Sequence, residues 1–415
     1  MTTTHRHLPG PTDEVWGSRR RHPTARPVAV PRPNRTFGAL LAVIAVLNLL
    51  GLVMVLSASS VSALDTYGSS WYIAMRQGIW LLVGTAACIL VMRVDYHRWR
   101  RWTLPMLMGS GVLLAMVLVP GVGMNVNGAS RWLGYGPLSL QPSELAKLTV
   151  LLFVADLLAR RSAWMEDLRL TLVPVAMVFG GVAVLLMLQP NLGTTLVMGA
   201  IVLAVLHVAG TPLLPLTGLG VGGAFMATVL ALGASYRRAR VLAFLNPWHD
   251  PLNTGYQNIQ SLVGIASGGL TGVGLGQSRA KWGFLPYAHT DFIFAIIGEE
   301  LGLVGAVVVV ALFGALCVLG AKAAREAPDR FGMLLATGVT VWFGVQAFVN
   351  IGAVIGILPI TGVPLPFVSY GGSSLVFSMM AAGLLLNVAR QGQRSNRPRP
   401  RRAPHGRPAA PRANR

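Results

Sequence analysis

Charge is what this sequence has least of. Only 12% of its 415 residues are Asp, Glu, Lys or Arg, while 53% are hydrophobic and the mean hydropathy is +0.59. Soluble globular domains carry roughly 25% charged residues, so a water-soluble fold of ordinary composition is excluded. Acids are scarcer still, with 14 Asp and Glu against 34 Lys and Arg and a net charge of +20. Cysteine is almost missing: Cys88 and Cys317 stand alone in separate apolar runs, which suggests packing and argues against a disulfide framework or a thiolate metal site. There is no repeat of solenoid period. Nor is there a matched pair of Gly/Pro-broken helices of the kind many transporters carry. No cleavable leader is expected, because the first apolar run, 37–56, is too long for one and follows a polar tail of 36 residues.

What is present is a series of apolar runs near the ~20 residues needed to cross a hydrocarbon core. They predict helices at 37–56, 71–92, 103–119, 144–159, 170–188, 194–210, 213–233, 291–319, 331–356 and 373–389. The expected fold is an all-α polytopic membrane protein of about ten transmembrane helices, with a long extracytoplasmic loop, 234–290, between helices 7 and 8. Residues 1–36 and 391–415 read as disordered basic cytoplasmic tails flanking a membrane domain over 37–390. The positive charge sits mainly there: residues 1–36 and 390–415 together carry +14 of the net +20. Basic flanks of this kind face anionic lipid, so nucleic acid is not the expected partner. Arg93, Arg98, Arg100 and Arg101, then Arg160, Arg161 and Arg169, then Lys322, Arg325 and Arg330 fall in loops on the side of the tails, as the positive-inside rule requires.

The opposite side holds the informative segments. Arg237, Arg238, Arg240, Arg279 and Lys281 lie in the long loop, against the charge rule; they are either solvated surface or a cradle for an anionic group. Asp291 follows His289 and Thr290 at the start of the eighth helix, where it can cap the helix or serve as a base at the membrane rim. Glu299 and Glu300 lie deeper and read as paired or protonated supports. Glu144 and Lys147, three apart on one helix face, can pair. Arg131 and Trp132 offer a cation and an interfacial ring. Ser369, Tyr370 and Gly371, preceded by Pro359, Pro364 and Pro366, form an irregular outer segment that must be buried in protein or line a wet cavity. From these residues alone, a transporter and an enzyme acting on a lipid-borne substrate are equally supported.

Four stretches then decide between them. Asn350–Ser374 (NIGAVIGILPITGVPLPFVSYGGSS), Asn127–Trp132 (NGASRW), Gln141–Lys147 (QPSELAK) and Ala288–Gly302 (AHTDFIFAIIGEELG) closely resemble the SEDS family, which comprises FtsW, RodA and a sporulation relative. The resemblance spans roughly 37–390. It implies a ten-helix glycosyltransferase that polymerises lipid II outside the cytoplasmic membrane and works with a class B penicillin-binding protein and other divisome proteins. Asp291 maps to the family's essential Asp, and Trp132 to its functionally important Trp. Substrate contacts are expected from Arg131, Trp132, Glu144, Lys147, Arg238, Arg279, Lys281, His289, Ser369, Tyr370 and Gly371. No cofactor is required by sequence; a divalent cation, Mg or Mn, would assist a leaving diphosphate, and no metal ligands are assigned. Asn191 stands where many relatives have Asp, keeping a capping oxygen without the charge. Gly276–Trp282 with Leu285–His289 looks more like the division member than RodA, which implies a septal location. The rival readings are a lipid II flippase, relying on Glu299 and Arg76, and an elongation-type polymerase.

Overall fold

The computed structural model describes residues 35–126, 129–135 and 138–395. The expected basic tails therefore lie outside the described residues, except where α1 (Arg35–Tyr67) begins and where the last helix continues to Ser395. After α1 come α2 (Tyr72–Arg93), the single turn α3 (Tyr96–Trp99) and α4 (Thr103–Val117). A three-stranded antiparallel sheet follows, β1 (Gly123–Val126), β2 (Ala129–Tyr135) and β3 (Leu138–Leu140), in the order β1-β2-β3. Then come α5 (Pro142–Arg160), α6 (Leu172–Leu188), α7 (Leu192–Ala209) and α8 (Leu213–Gly233). Two helices, α9 (Ser235–Leu245) and α10 (Tyr256–Gly268), lead to α11 (Ile293–Arg325), α12 (Arg330–Val354) and α13 (Gly372–Ser395).

The protein is a polytopic helical membrane protein. Among the described residues seven helices are long and apolar enough to cross a membrane, and α4 and α6 are shorter apolar helices. α5 occupies the remaining expected run but carries Glu144, Lys147, Asp156 and Arg160. The local stops have ordinary causes. Pro142 occupies the first turn of α5, where its missing N–H costs no helical bond. The Asn191 side chain accepts from Thr194 N and caps α7, and Asp329 accepts from Phe331 N and Gly332 N to cap α12.

Three features depart from the predicted layout. The outer segment 120–143 is not plain loop but carries the small sheet, in which Trp132 of β2 stands opposite Met124. The 234–290 segment is likewise built, chiefly from α9 and α10. α10 packs on α11, and its end makes backbone contact so close that a Cβ at Gly268 would sit 2.0 Å from Gly298 O. α11 is not one straight span. Gly302, at φ +65°, breaks it into a short outer piece and a long inner one, and Leu303 N and Val304 N donate to Gly269 O and Leu270 O. Only glycine holds that backbone without strain.

Contacts at the two ends of the bundle sort the loops as the charge pattern predicted. At one end Tyr96 donates to Asp329, Arg100 Nε pairs with Asp156 at 2.6 Å, and Thr36 donates to Glu326 at 3.2 Å. That end carries the basic loops. The other end gathers β2, the 189–191 turn, residues 276–291 and the 359–371 segment.

Candidate active site

Asp291 immediately precedes the short outer piece of α11 and is partly exposed. It lines a small cavity with Asn350 of α12 and Ile360, Thr361, Gly362 and Val363 of the irregular segment. The two segments are bolted together through backbone. Asn350 Nδ2 donates to Asp291 O at 2.8 Å and to Val363 O at 2.9 Å. Ser369 Oγ donates to Thr290 O at 2.6 Å and accepts from Leu365 N at 2.8 Å, while Tyr370 N donates to His289 O at 2.9 Å. A side chain at Gly362, φ +72°, would approach the Asp291 carboxyl, since even a Cβ lies 3.6 Å from Oδ2.

Desolvation raises the Asp291 carboxyl from its ordinary 3.8 to about 6, and the positive charges of Arg240 and Arg131 oppose that rise. Arg131 reaches this position from β2 by donating through Nε to Gln189 O at 3.1 Å and through Nη2 to Pro190 O at 2.5 Å. The turn that holds it is itself pressed on the cavity wall, because Gly193 leaves room for Thr361 and Val363 where a Cβ would sit 2.7 Å from Val363 Cγ2. The result is a carboxyl that feels the positive charges of Arg131 and Arg240, at the end of the bundle opposite the basic loops. Such a group takes up a proton near neutral pH and tolerates anionic substrate nearby.

The remaining predicted residues fall into separate groups. His289 and Tyr370 meet edge to face at 5.6 Å next to Asp291, and burial lowers the imidazole's pKa. Ser369 is engaged by backbone on both sides, and Gly371 starts the last helix by accepting from Leu375 N. Glu144 and Lys147 form a buried ion pair at 2.9 Å. Ser374 Oγ donates to Glu144 at 3.1 Å, and Lys147 donates to Gln346 Oε1 at 2.8 Å and lies over the Trp342 ring. Gln346 Nε2 in turn holds Pro364 O at 2.8 Å. The pair thus ties α5, α12 and α13 to the irregular segment. Lys281 is buried, donating to Gly276 O at 2.5 Å and lying 3.7 Å from Glu300. Arg238 and Arg279 are exposed and do not line the Asp291 cavity.

Glu299 and Glu300 act as the supports expected of them. Glu299 accepts from Ser278 Oγ at 2.5 Å and from Arg279 N at 2.8 Å; Glu300 accepts from Ser57 Oγ at 2.6 Å and Ser278 N at 3.3 Å. They pin the outer loop to the helix piece that follows Asp291. Asn350 and Thr361 belong to the site yet were not singled out as site residues, and of the loop cations offered as a cradle Arg240 is one whose charge acts on Asp291. A polar Asn within an apolar run was the available signal for the first. Among the described residues no group of three or more His, Cys, Asp or Glu could hold a metal ion.

The family model for FtsW, RodA and SpoVE, described as "Cell cycle protein", matches residues 38–394. The chain belongs to the FtsW/RodA/SpoVE family. Its relatives include a probable peptidoglycan glycosyltransferase FtsW from Geobacter metallireducens, 43% identical over 83% of this chain and 92% of that one. Stage V sporulation protein E from Bacillus subtilis is 43% identical over 86% of this chain and 98% of its own length. Among solved structures, a chain described under "Structural coordination of polymerization and crosslinking by a peptidoglycan synthase complex" superposes with a TM-score of 0.70 at 33% identity, covering 85% of this chain and 97% of that one. The rod shape determining protein RodA of Thermus thermophilus gives 0.63 at 32% identity over 85% of this chain and 96% of its own. In this chain the His289–Phe292 segment lies beside the Pro-rich segment before the last helix.

Proposed function

We propose that this chain is a peptidoglycan glycosyltransferase that polymerises lipid II into glycan strands at the outer face of the cytoplasmic membrane. The observation that carries this reading is the Asp291 carboxyl, held in a cavity at the outer end of the bundle with a pKa near 6 and with Arg131 and Arg240 beside it. The relatives' names, a peptidoglycan glycosyltransferase and a peptidoglycan synthase complex, support the reaction class, and lipid II as its substrate is part of this proposal.

In the reaction, Asp291 takes the proton from a hydroxyl of the acceptor lipid II. The freed oxygen forms a bond to the anomeric carbon of the donor strand. The bond from that carbon to the lipid diphosphate breaks, and the diphosphate leaves with the electron pair. A diphosphate is a stable anion, so no second carboxylic acid is needed to protonate it; glycosidases, with a sugar-oxygen leaving group, typically need two. Fixed cations serve the developing charge instead. Among the described residues the acidic donors do not group into a multidentate metal cage; a divalent cation, Mg or Mn, would offset the charge of the leaving diphosphate.

The division-type role, septal location, cytoplasmic termini, ten crossings and a class B penicillin-binding partner complete the proposal, supported by the FtsW-named relatives, the loop charges and the synthase-complex neighbour. The flippase reading draws no support from Glu299, whose carboxyl is engaged by the outer loop. The test is polymer formation from lipid II by the purified protein with its transpeptidase. Asp291→Asn should leave a folded protein that makes no glycan; full activity in that variant removes Asp291 from the role.

A further inference from the structure

The Asp291 cavity holds polar atoms that the reaction as written does not use. Asn350 is 3% exposed, and both hydrogens of its amide are taken by the carbonyls of Asp291 and Val363. Its Oδ1 is buried and has no hydrogen-bond partner within the chain. Turning the amide over would point that oxygen at two carbonyl oxygens, so the orientation is forced. Thr361 Oγ1, on the same cavity wall, is also buried without a partner. Buried acceptors are normally satisfied, and exceptions call for a ligand or a bound water. The remaining side chains lining the cavity, apart from Asp291, are apolar, so none of them supplies the missing donor, and a bound hydroxyl or water can. The space beside the carboxyl admits roughly one water-sized group, which suits a single hydroxyl and not a whole sugar ring.

We propose that Asn350 and Thr361 form an acceptor subsite that receives a second hydroxyl of the incoming sugar, the one flanking the hydroxyl that Asp291 deprotonates. This deepens the polymerase reading and rests on it. Neighbouring hydroxyls on a sugar ring lie within one hydrogen-bond length of each other, so a nucleophile in reach of Asp291 brings its neighbour to the same wall. The acceptor hydroxyl donates to Asn350 Oδ1, while Thr361 can accept from it or donate to it. Asn350 also fixes the carbonyls of Asp291 and Val363, so one amide sets the spacing between base and subsite. The chemistry is hydroxyl recognition, and sites built to hydrogen-bond a substrate hydroxyl reject analogues that lack it.

The experiment uses the full-length protein with its transpeptidase and three acceptors: lipid II, and two analogues each lacking one hydroxyl flanking the nucleophilic one. The unmodified protein should use one analogue at least about tenfold less well than lipid II. Thr361→Val and Asn350→Ala should each compress that ratio toward one. Because the ratio is taken within one preparation, a lower folded fraction cancels. Equal use of all three acceptors by the unmodified protein overturns the inference and assigns the cavity to water. An unchanged ratio in both variants overturns it as well. Neither result touches the polymerase reading, whereas no polymer from the unmodified protein would overturn both.

Discussion

Replacing Asp291 by Asn separates the chemical role of this carboxylate from its cost to the fold. The side chain keeps its size and loses only its charge. With a pKa of about 6, Asp291 is ionised in roughly 97% of molecules at pH 7.5 and in about 10% at pH 5, so a reaction that needs the carboxylate should fall about tenfold between them. The stability effect runs the other way. Because the folded-state value lies above the ordinary 3.8, the folded protein binds the extra proton between about pH 4 and pH 6, and stability is lost as the pH rises through that window. At about 1.36 kcal/mol per pH unit, ionising Asp291 costs the fold up to about 3 kcal/mol at pH 7.5. The neutral Asn variant escapes this. Asp291→Asn should therefore melt a few degrees higher at pH 7.5 and no higher at pH 4, while polymerising lipid II at least about a hundredfold more slowly. Glycan length on gels and thermal melting in detergent read the two effects. Activity that stays flat between pH 5 and 7.5, or a variant that polymerises at the unmodified rate, would refute the base assignment.

Arg240→Gln removes a charge that holds the Asp291 value down, so the acid limb of the pH–rate profile should move upward, and a profile unmoved by the change would rule out that coupling. Lys147→Met strands the Glu144 carboxylate in a buried site and should cost about 3–5 kcal/mol; the double change Glu144→Gln with Lys147→Met should recover most of the melting temperature. If that double variant is stable yet inactive, the pair contacts substrate, and if it is active the pair is a bolt. Glu300→Leu leaves Lys281 buried beside a lost partner and should destabilise by several kcal/mol, with new protease cleavage in residues 270–285 as the local readout. Gly302→Ala places a Cβ 2.3 Å from Gly272 N at a positive φ, and it should reduce folded yield sharply; normal yield would mean the kink is not needed.

Much of this protein is determined by its one-dimensional pattern. Apolar runs must be helices in lipid because no other open structure satisfies the backbone there, so the helix positions, the two ends of the bundle and the motif-bearing segments were legible without coordinates. The Asp291 carboxylate was legible only in part: its place at a helix start fits a cap as well as a base, and the resemblance of the Ala288–Gly302 segment decided between them. The tertiary structure alone decided which charges pair across the chain and what each segment becomes. Glu144 and Lys147 pair one helical turn apart, as their spacing allows, whereas Lys281 looks like a substrate cation in the sequence and finds Glu300 nineteen residues on across a tight backbone crossing. The 120–143 and 234–290 segments read as loops because their strands and helices are short and draw their order from the bundle. Asn350 shows the same limit. Its meaning comes from two carbonyls 59 and 13 residues away along the chain, and only folding brings such distant groups close enough for one amide to serve both.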